Sequence, residues 1–337
     1  MSVTEKSFSE KPNLLVTSSF VKGRLDVLLP YAKVYWLEEL DDKALDDLLP
    51  SVDCVLVQTW WPDSLTPERI SRMGRLRFIQ SGMAGVNHIP FKHLDKRVTV
   101  SSNAGGFSVG VAEYAVALML AAAKRVVKLD HTLRTGEFDP AEWGQLVREI
   151  LPLRGRTLGV LGYGGIGRTV GSIGRALGMN VIAFSRHPDS EGGVKVFQGG
   201  EGMRRVLKMS DALVVALPLS KLTVGLIGAA EFAAMKRDAV LVNVARAEIV
   251  DEEALYRHLV KCPLFTYATD VWQIKRGKET YASKFPLLKL SNFIGTPHVA
   301  GGSSALTGDP GKSAAENLTR FLRGEAPHNV VDPSEYI

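Results

Sequence analysis

The stretch that decides the fold is residues 158–167, which read LGVLGYGGIG. Three glycines in it, Gly162, Gly164 and Gly167, form G-x-G-x-x-G after a buried-strand pattern and at the start of a helical one. In that setting the first permits a tight turn, the second lets the backbone approach a pyrophosphate, and the third lets the helix pack on the strand. The helix N-terminus adds unpaired N–H groups that favour phosphate. Against the alternative of a purely structural glycine turn, the stretch predicts dinucleotide binding by Gly162, Tyr163, Gly164, Gly165, Ile166 and Gly167.

The rest of the chain continues this alternation of strand and helix patterns. Short apolar runs rich in β-branched residues alternate with longer helical patterns, which is typical of parallel sheets with crossover helices. Around the glycine motif, strands are predicted at 157–161, 180–185, 212–217, 239–244, 266–270 and 292–295. Upstream, strands are predicted at 14–19, 33–37, 53–59, 77–81 and 98–102, with helices at 42–49 and 66–73. Longer helices are predicted at 108–129 and 302–324. The fold class is therefore α/β.

Composition and charge narrow the possible functions. The 337 residues are 45% apolar and 23% charged, which indicates a folded chain of about two domains. The net charge of +5 mildly favours anionic small ligands, and no nucleic-acid-binding motif accompanies it. Two cysteines are too few for a disulfide framework or a thiolate metal site, so no metal is expected. Because the N-terminus is polar and no apolar run could cross a bilayer, we expect a cytoplasmic protein without a membrane partner.

The end of the second strand after the motif bears on the choice between NAD and NADP. An acidic residue there normally accepts a hydrogen bond from the ribose 2′-hydroxyl of NAD. Here the strand 180–184 is followed by Ser185, Arg186 and His187. A hydroxyl, a guanidinium and an imidazole suit a 2′-phosphate through charge-assisted hydrogen bonds. The sequence predicts that NADP is preferred and that NAD remains usable, the alternative being that Arg186 is a solvated surface residue.

Polar side chains also stand at the ends of three later strands. Arg246 follows the strand 239–244, Asp270 ends the strand 266–270, and His298 follows the strand 292–295. Doubly wound sheets bind their ligands at this edge. An arginine can hold a carboxylate and a carbonyl oxygen, and a histidine can donate a proton near neutral pH. Beside a nicotinamide, such a set can reduce a 2-oxo acid.

Five ordered motifs make the chain resemble the D-isomer-specific 2-hydroxyacid dehydrogenase family. They are GYGGIG, ALPLSKLT at 216–223, NVARAEIVDEEAL at 243–255, DVW at 270–272 and TPHVAG at 296–301. The resemblance covers about 80–324. It implies a doubly wound Rossmann nucleotide-binding domain, residues 105–302, inserted into a flavodoxin-like substrate domain formed by 1–104 and 303–337.

The resemblance also implies roles for individual residues. Arg246 would hold the substrate, His298 would be the acid/base, and Asp270 would accept a hydrogen bond from the nicotinamide carboxamide. The backbone of Ala84 and Gly85 would bind the substrate carboxylate. Further cofactor contacts are implied for Leu217, Pro218, Thr223, Val244, Ala245, Arg246, His298 and Gly301.

One position departs from the family pattern. A glutamate that pairs with the histidine normally stands five residues after the aspartate, and Lys275 occupies that place here. Counting back from FPLL at 285–288 puts the acid on Glu279 instead, which requires an insertion of about four residues within 273–278. A cation beside His298 would oppose proton donation, so Glu279 is the predicted catalytic acid. A site without this acid is the alternative.

The resemblance suggests a substrate and an assembly. The predicted reaction is reduction of a small 2-oxo acid, such as glyoxylate or hydroxypyruvate, and Trp60 beside Trp61 could wall the pocket or could be a packing residue. Alternatives are formate oxidation and a non-enzymatic dinucleotide-sensing protein like the corepressors that share this fold. A homodimer is expected by analogy, with the apolar helix 109–123 as one possible contact.

Overall fold

The computed structural model describes residues 10–18, 25–57, 65–186, 193–275, 278–281, 283–302 and 309–336. Its strands are β1 Asn13–Val16, β2 Lys33–Trp36, β3 Val52–Val57, β4 Phe78–Ser81, β5 Thr99–Ser101, β6 Thr157–Leu161, β7 Asn180–Phe184, β8 Lys195–Phe197, β9 Ala212–Val215, β10 Val240–Asn243, β11 Thr266–Thr269, β12 Gln273–Lys275, β13 Lys278–Thr280 and β14 Phe293–Gly295. Its α-helices are α1 Asp42–Leu48, α2 Pro67–Arg72, α3 Ser108–Ala123, α4 Val126–Thr135, α5 Trp143–Glu149, α6 Gly165–Ala176, α7 Gly199–Met209, α8 Ala229–Ala234, α9 Glu252–Lys261 and α10 Asp309–Leu322.

The chain divides into two compact units. Met1–Phe107 and Ser303–Ile337 form the first unit, and Ser108–Gly302 forms the second. The first unit contains a parallel sheet of order β2-β1-β3-β4-β5, which is the flavodoxin-like order. Its central strand β3 is buried along its whole length, because apolar residues cover both faces of the sheet.

The second unit contains the larger sheet. Its strand order is β14-β11-β10-β9-β6-β7-β8, and all neighbouring strands are parallel. From β6 the chain adds strands first on one side of the sheet, β7 and β8, and then on the other, beginning with β9. The strand order therefore reverses between β6 and β9, as in a Rossmann fold. Ligands bind such sheets outside the carboxyl ends of the strands beside this reversal. The expected α/β class with a Rossmann sheet is confirmed.

The helix predicted over 108–129 is wrong in one respect, because the chain breaks it at Arg125. Helix α3 ends at Ala123, and Arg125 has a φ of +55° before α4 begins. The buried Arg125 guanidinium donates to Leu264 O at 2.6 Å and hydrogen-bonds the Thr266 hydroxyl. A continuous helix would not direct this side chain to the start of β11 in the same way, so tertiary contacts override the helical pattern.

Helix α3, the possible dimer contact, is largely buried within its own unit. Ten of its 16 residues are buried, and it packs against α6, β10 and β11 within its own unit. Its one large apolar side chain that is well exposed is Val109, whereas several lie on the segment that follows, at Val126, Val127, Leu133, Phe138, Trp143 and Val147.

Three further elements differ from the sequence expectation. The sheet of the second unit gains a seventh strand, β8, at its edge. Helix α5 forms within a stretch that has no strong helical pattern, and the hairpin β12–β13 occupies the predicted insertion. Of the tail helix predicted at 302–324, the structure describes α10, which ends at Leu322. Within the described part of the chain, no helix is long and apolar enough to span a membrane.

Candidate active site

The glycine motif lies between β6 and α6, and its three glycines meet different surroundings. Gly162 has a φ of +96°, and a Cβ there would lie 2.5 Å from Ala216 O. A Cβ on Gly167 would lie 2.0 Å from Gly162 O. A Cβ on Gly164 would meet nothing within 4 Å. The fold itself therefore requires the first and third glycines, whereas the second borders open space at the N-terminus of α6. Space beside unpaired helical N–H groups fits a pyrophosphate.

The end of β7 carries the two described residues that bear on NADP. Ser185 is half-buried and its N–H donates to Phe197 O at 3.1 Å, while Arg186 is exposed. The Gln198 side chain donates to Arg186 O at 2.8 Å, so this hydrogen bond holds the backbone at Arg186 and not its guanidinium. The predicted third contact, His187, lies outside the described residues.

The loop after β9 is closed by its own threonine. The Thr223 hydroxyl donates to Pro218 O at 2.6 Å and accepts from the Ser220 N–H at 2.8 Å. Leu217 and Pro218, both predicted cofactor contacts, lie on the segment that this hydroxyl holds. In this geometry Thr223 shapes the loop, because its hydroxyl is engaged within the chain.

Arg246 follows β10 on a short loop that a buried asparagine organises. The Asn243 side chain accepts from the Ala245 N–H at 3.0 Å and donates to Arg246 O at 2.9 Å and to the Tyr267 hydroxyl at 3.2 Å. Val244 and Ala245 are buried, whereas Arg246 is half-buried. Burial raises the pKa of Tyr267, so its hydroxyl stays protonated. Sequence reasoning missed Asn243 as a functional residue, although its place within an otherwise apolar strand was a usable signal.

His298 follows β14 on a tight loop. Its N–H donates to Thr296 O at 3.0 Å, and its φ of +55° is left-handed, which is uncommon for a residue with a side chain. Thr296 O also accepts from the Trp272 indole N–H at 2.8 Å. A Cβ on Gly295 would lie 2.6 Å from the Trp272 ring, so only glycine lets that ring pack against the strand end.

Asp270 contacts the His298 loop rather than open space. One carboxylate oxygen accepts from the Thr296 hydroxyl at 2.7 Å and the Val299 N–H at 3.0 Å, and the other accepts from the Ala300 N–H at 2.7 Å. The residue has 0% of its surface exposed. The contact with a nicotinamide carboxamide stays a prediction for Asp270, because these three hydrogen bonds leave the carboxylate further acceptor capacity.

The strand register brings these three loops together. Asn243 pairs with Thr269, and Thr269 pairs with Gly295, so β10, β11 and β14 end level with one another. The loops bearing Arg246, Asp270 and His298 therefore leave adjacent strands at one edge of the sheet, where neighbouring strands are about 5 Å apart. The glycine turn leaves β6 at the same carboxyl edge.

The predicted carboxylate-binding loop belongs to the first unit. It follows β4, and the Ser81 hydroxyl accepts from the Met83 N–H at 3.0 Å. Among the described residues, the N–H groups of Ala84 and Gly85 have no hydrogen-bond acceptor within the chain. Two adjacent amides of this kind are suited to an anion.

Three remaining predictions fall where the structure describes little. Trp60 and its neighbour Trp61 lie outside the described residues. The backbone of Glu279 pairs with Ile274 across the hairpin, and Lys275 pairs with Lys278. Whether Glu279 pairs with His298 stays a prediction. In the described part of the chain, no cluster of His, Cys, Asp or Glu could hold a metal ion.

Comparison with known proteins identifies the family. The sequence profile of the D-isomer specific 2-hydroxyacid dehydrogenase, NAD binding domain, matches residues 116–300. A glyoxylate reductase from Aeropyrum pernix is 31% identical over 327 residues, which is 96% of each chain. A D-3-phosphoglycerate dehydrogenase from Archaeoglobus fulgidus is 31% identical over 294 residues, 86% of this chain and 54% of its own length.

A solved structure supports the same assignment. It comes from Pyrobaculum aerophilum and is described as a "putative formate dehydrogenase". It is 33% identical, has a TM-score of 0.80, and the match covers 96% of this chain and 100% of that one. The chain belongs to the D-isomer-specific 2-hydroxyacid dehydrogenase family. It is thus an oxidoreductase that acts on CH–OH groups with a nicotinamide dinucleotide, and the expected family and enzyme class are confirmed.

Proposed function

We propose that the protein reduces a small 2-oxo acid of the glyoxylate or hydroxypyruvate type to the D-2-hydroxy acid, with NADPH preferred over NADH. The observation that carries this proposal is that β10, β11 and β14 end at the same level of the sheet. The loops that bear Arg246 and His298 therefore lie at one sheet edge. The curated relative from Aeropyrum pernix, which matches 96% of the chain, is a glyoxylate reductase and supports the substrate class.

The roles of the two residues follow from their chemistry. The planar guanidinium of Arg246 can bind the substrate carboxylate and the carbonyl oxygen together, which orients the carbonyl and draws electrons from its carbon. The reduced nicotinamide, when bound, supplies the hydride that adds to this carbon. The His298 imidazole donates a proton to the carbonyl oxygen, so that the C=O bond becomes CH–OH. The free amides of Ala84 and Gly85 are proposed as further carboxylate donors.

Dinucleotide binding is assigned to the glycine turn and the end of β7. The open space at Gly164 accepts the pyrophosphate, and the exposed Arg186 with the Ser185 hydroxyl meets the 2′-phosphate. The preference for NADPH rests on Arg186 and on the absence of an acidic side chain among the described residues at that strand end, 184–186.

Formate oxidation is the second candidate, because the relative from Pyrobaculum aerophilum is described in those terms. The family resemblance gives formate dehydrogenases a glutamine in place of the acid that pairs with the histidine. Neither Lys275 nor Glu279 is a glutamine, and this favours the 2-oxo acid.

The test follows NADPH and NADH absorbance with glyoxylate, hydroxypyruvate and pyruvate, and the formation of NADPH from formate and NADP⁺. We expect turnover with a 2-oxo acid, faster at low cofactor concentration with NADPH. In Arg186→Ala the ratio of kcat/KM for NADPH to that for NADH should fall at least tenfold. Lys195→Ala, which removes another cation on neighbouring β8, is the control and should leave the ratio unchanged. Tight NADPH binding without turnover of any 2-oxo acid would overturn the proposal in favour of a dinucleotide sensor.

A homodimer is also proposed, with a contact on α4 and α5 rather than on the buried α3. Leu133 and Trp143 there are 65% and 64% exposed. Large apolar side chains grouped on one segment commonly mark a protein interface. Light scattering should show a dimer for the wild type and a monomer for Leu133→Glu, and a wild-type monomer would contradict the proposal.

A further inference from the structure

The loop after β4 has two parts that differ in the hydrogen bonds of their backbone. In Gly82 and Met83, every backbone N–H and C=O group has a partner within the chain. In Ala84 and Gly85, the N–H groups have no acceptor among the described residues. The first part therefore holds the loop in place, whereas the second part has donors available for a ligand.

Asn103 makes two of the hydrogen bonds that hold the first part. Its side-chain amide donates to Gly82 O at 2.9 Å, and its backbone N–H donates to Met83 O at 3.0 Å. The Met83 carbonyl and the Ala84 N–H belong to one planar trans peptide, so these two groups point in opposite directions. Because Asn103 fixes this carbonyl, it also fixes the direction in which the Ala84 N–H points.

The side chain of Asn103 is itself fixed by its surroundings. It is 2% exposed, and its amide nitrogen also donates to Pro310 O at 2.8 Å, in the first turn of α10. A Cβ on Gly106 would lie 2.8 Å from the same nitrogen, so the backbone at 106 packs directly against the amide. The Asn103 amide thus connects the loop to α10, and a side chain at position 106 would displace it.

A second buried amide supports the residue that leads into the loop. The Gln80 side chain, which is 0% exposed, donates to Ser81 O at 2.7 Å and accepts from the Asn317 side chain at 2.7 Å. The Asn317 side chain also accepts from the His328 N–H at 2.6 Å. Satisfied polar networks of this kind make the buried backbone around them rigid. Helix α10 therefore supports the loop through two side chains, Asn103 and Gln80.

We propose that Asn103 is a positioning residue for the substrate carboxylate, because it holds the Gly82 and Met83 carbonyls and so orients the Ala84 and Gly85 amides. The inference rests on the proposed function, in which these two amides bind the carboxylate of the 2-oxo acid. Asn103 acts on substrate binding through the loop.

The first variant is Asn103→Asp, which nearly preserves the shape of the side chain. A carboxylate oxygen in place of the nitrogen faces two acceptors, Gly82 O and Pro310 O, so both hydrogen bonds are lost. Hydrogen exchange of a peptide covering 81–88 should become at least tenfold faster. The KM for glyoxylate should rise at least tenfold while kcat stays within threefold, which is the result of losing an interaction made equally in the ground state and the transition state. The dissociation constant of NADPH should stay within twofold, because the cofactor contacts are assigned to the second unit.

The matched control is Asn292→Asp, at another buried asparagine. The Asn292 amide donates to three backbone carbonyls, those of Leu259, Cys262 and Phe265, and the residue lies at the amino end of β14. The control loses a comparable set of hydrogen bonds at the edge of the sheet opposite the site. Its KM for glyoxylate should stay within twofold of the wild type. An equal rise of KM in both variants would overturn the positioning role, since general destabilisation would then explain it.

A second pair of variants keeps the test valid if Asn103→Asp does not fold. Gly106→Ala pushes a methyl group against the Asn103 amide, whereas Gly74→Ala in the same unit adds a methyl group that meets nothing within 4 Å. We expect the KM for glyoxylate to rise at least threefold in Gly106→Ala and to stay unchanged in Gly74→Ala. An unchanged KM in Gly106→Ala would then overturn the inference.

The remaining outcomes separate this inference from the proposed function. If the wild type reduces glyoxylate and Asn103→Asp has an unchanged KM or unchanged hydrogen exchange, the positioning role is overturned and the proposed function stands. If the wild type reduces no 2-oxo acid, the proposed function is contradicted, and fluorescence titration of the NADPH complex with oxalate tests the loop without turnover. Oxalate binding at least tenfold weaker in Asn103→Asp than in the wild type supports the inference. Equal binding in the two proteins, or no binding to the wild type, overturns it.

Discussion

Two alanine substitutions in the glycine turn should impair different properties, one the stability of the fold and the other the binding of NADPH. Gly167→Ala places a Cβ 2.0 Å from Gly162 O, and Gly164→Ala places one where nothing lies within 4 Å. Real Cβ atoms essentially never approach closer than 3.0 Å, so at Gly167 the turn and α6 must separate by about 1 Å. The atom that has to move is backbone, which has no alternative rotamer. The two substitutions are otherwise identical in chemistry.

The magnitudes follow from that difference. Gly167→Ala gains about 1 kcal/mol of helix propensity but costs about 1–3 kcal/mol or more by overpacking, so the free energy of unfolding should fall. Gly164 has a φ of −84° at the helix N-cap, which alanine can adopt, so Gly164→Ala should change stability by less than about 1 kcal/mol. Its methyl group nevertheless enters the space assigned to the pyrophosphate. Loss of one charge-assisted hydrogen bond, about 1.5–3 kcal/mol, weakens NADPH binding about tenfold to a hundredfold.

Denaturant unfolding and NADPH fluorescence titration of both variants test this reasoning. The expected pattern is reduced stability in Gly167→Ala, and near-native stability with weak NADPH binding in Gly164→Ala. Wild-type affinity in Gly164→Ala would refute the pyrophosphate assignment. Equal stability of the two variants would refute the packing argument.

Three other predictions concern residues around the site and in the core. His258 packs between Phe232 and Phe265, and burial, followed by nearby cations, lowers its pKa. Below about pH 6.5 the unfolded chain therefore binds a proton at His258 more readily than the folded chain does. The free energy of unfolding is unaffected by this group above that pH and falls as the pH drops below it, by at most about 1.4 kcal/mol per pH unit. His258→Phe should flatten this dependence in urea unfolding between pH 7 and 5, and an unchanged slope would contradict it. Arg125→Ala should lower the free energy of unfolding by about 2–4 kcal/mol, because buried acceptors lose their donor. Arg125→Gly should cost about 1 kcal/mol less, because glycine accepts the φ of +55°. Equal losses in the two variants would show that backbone strain at this position is unimportant. Asn243→Asp removes both side-chain N–H donors, one of which holds the backbone of Arg246. Because the Arg246 loop would shift, the KM for the 2-oxo acid should rise about tenfold while the affinity for NADPH stays unchanged. A wild-type KM would exclude a role of Asn243 in placing this loop.

The sequence predicted those features of the fold that depend on local patterns. The glycine turn was predictable because a positive φ at Gly162 and close packing at Gly167 exclude other residues. The strand ends bearing Arg246 and His298 were predictable because polar residues interrupt apolar runs there. Parallel strands of an α/β sheet end at a common edge, so the site could be assembled before its geometry was seen.

The remaining features depend on contacts between residues distant in sequence. The break at Arg125 could not be predicted, since its partners Leu264 and Thr266 lie about 140 positions away. The sequence also could not show that Asp270 accepts hydrogen bonds from the His298 loop, because that contact depends on the register of β11 and β14.

The most direct test of the central claim is the reduction of hydroxypyruvate by the wild type and by His298→Gln, with determination of the configuration of the product. The account predicts D-glycerate from the wild type. In His298→Gln it predicts a kcat at least a hundredfold lower with NADPH affinity within twofold, because the glutamine side chain cannot donate the proton as imidazolium does. L-glycerate from the wild type, or a kcat in His298→Gln above half the wild-type value, would contradict it.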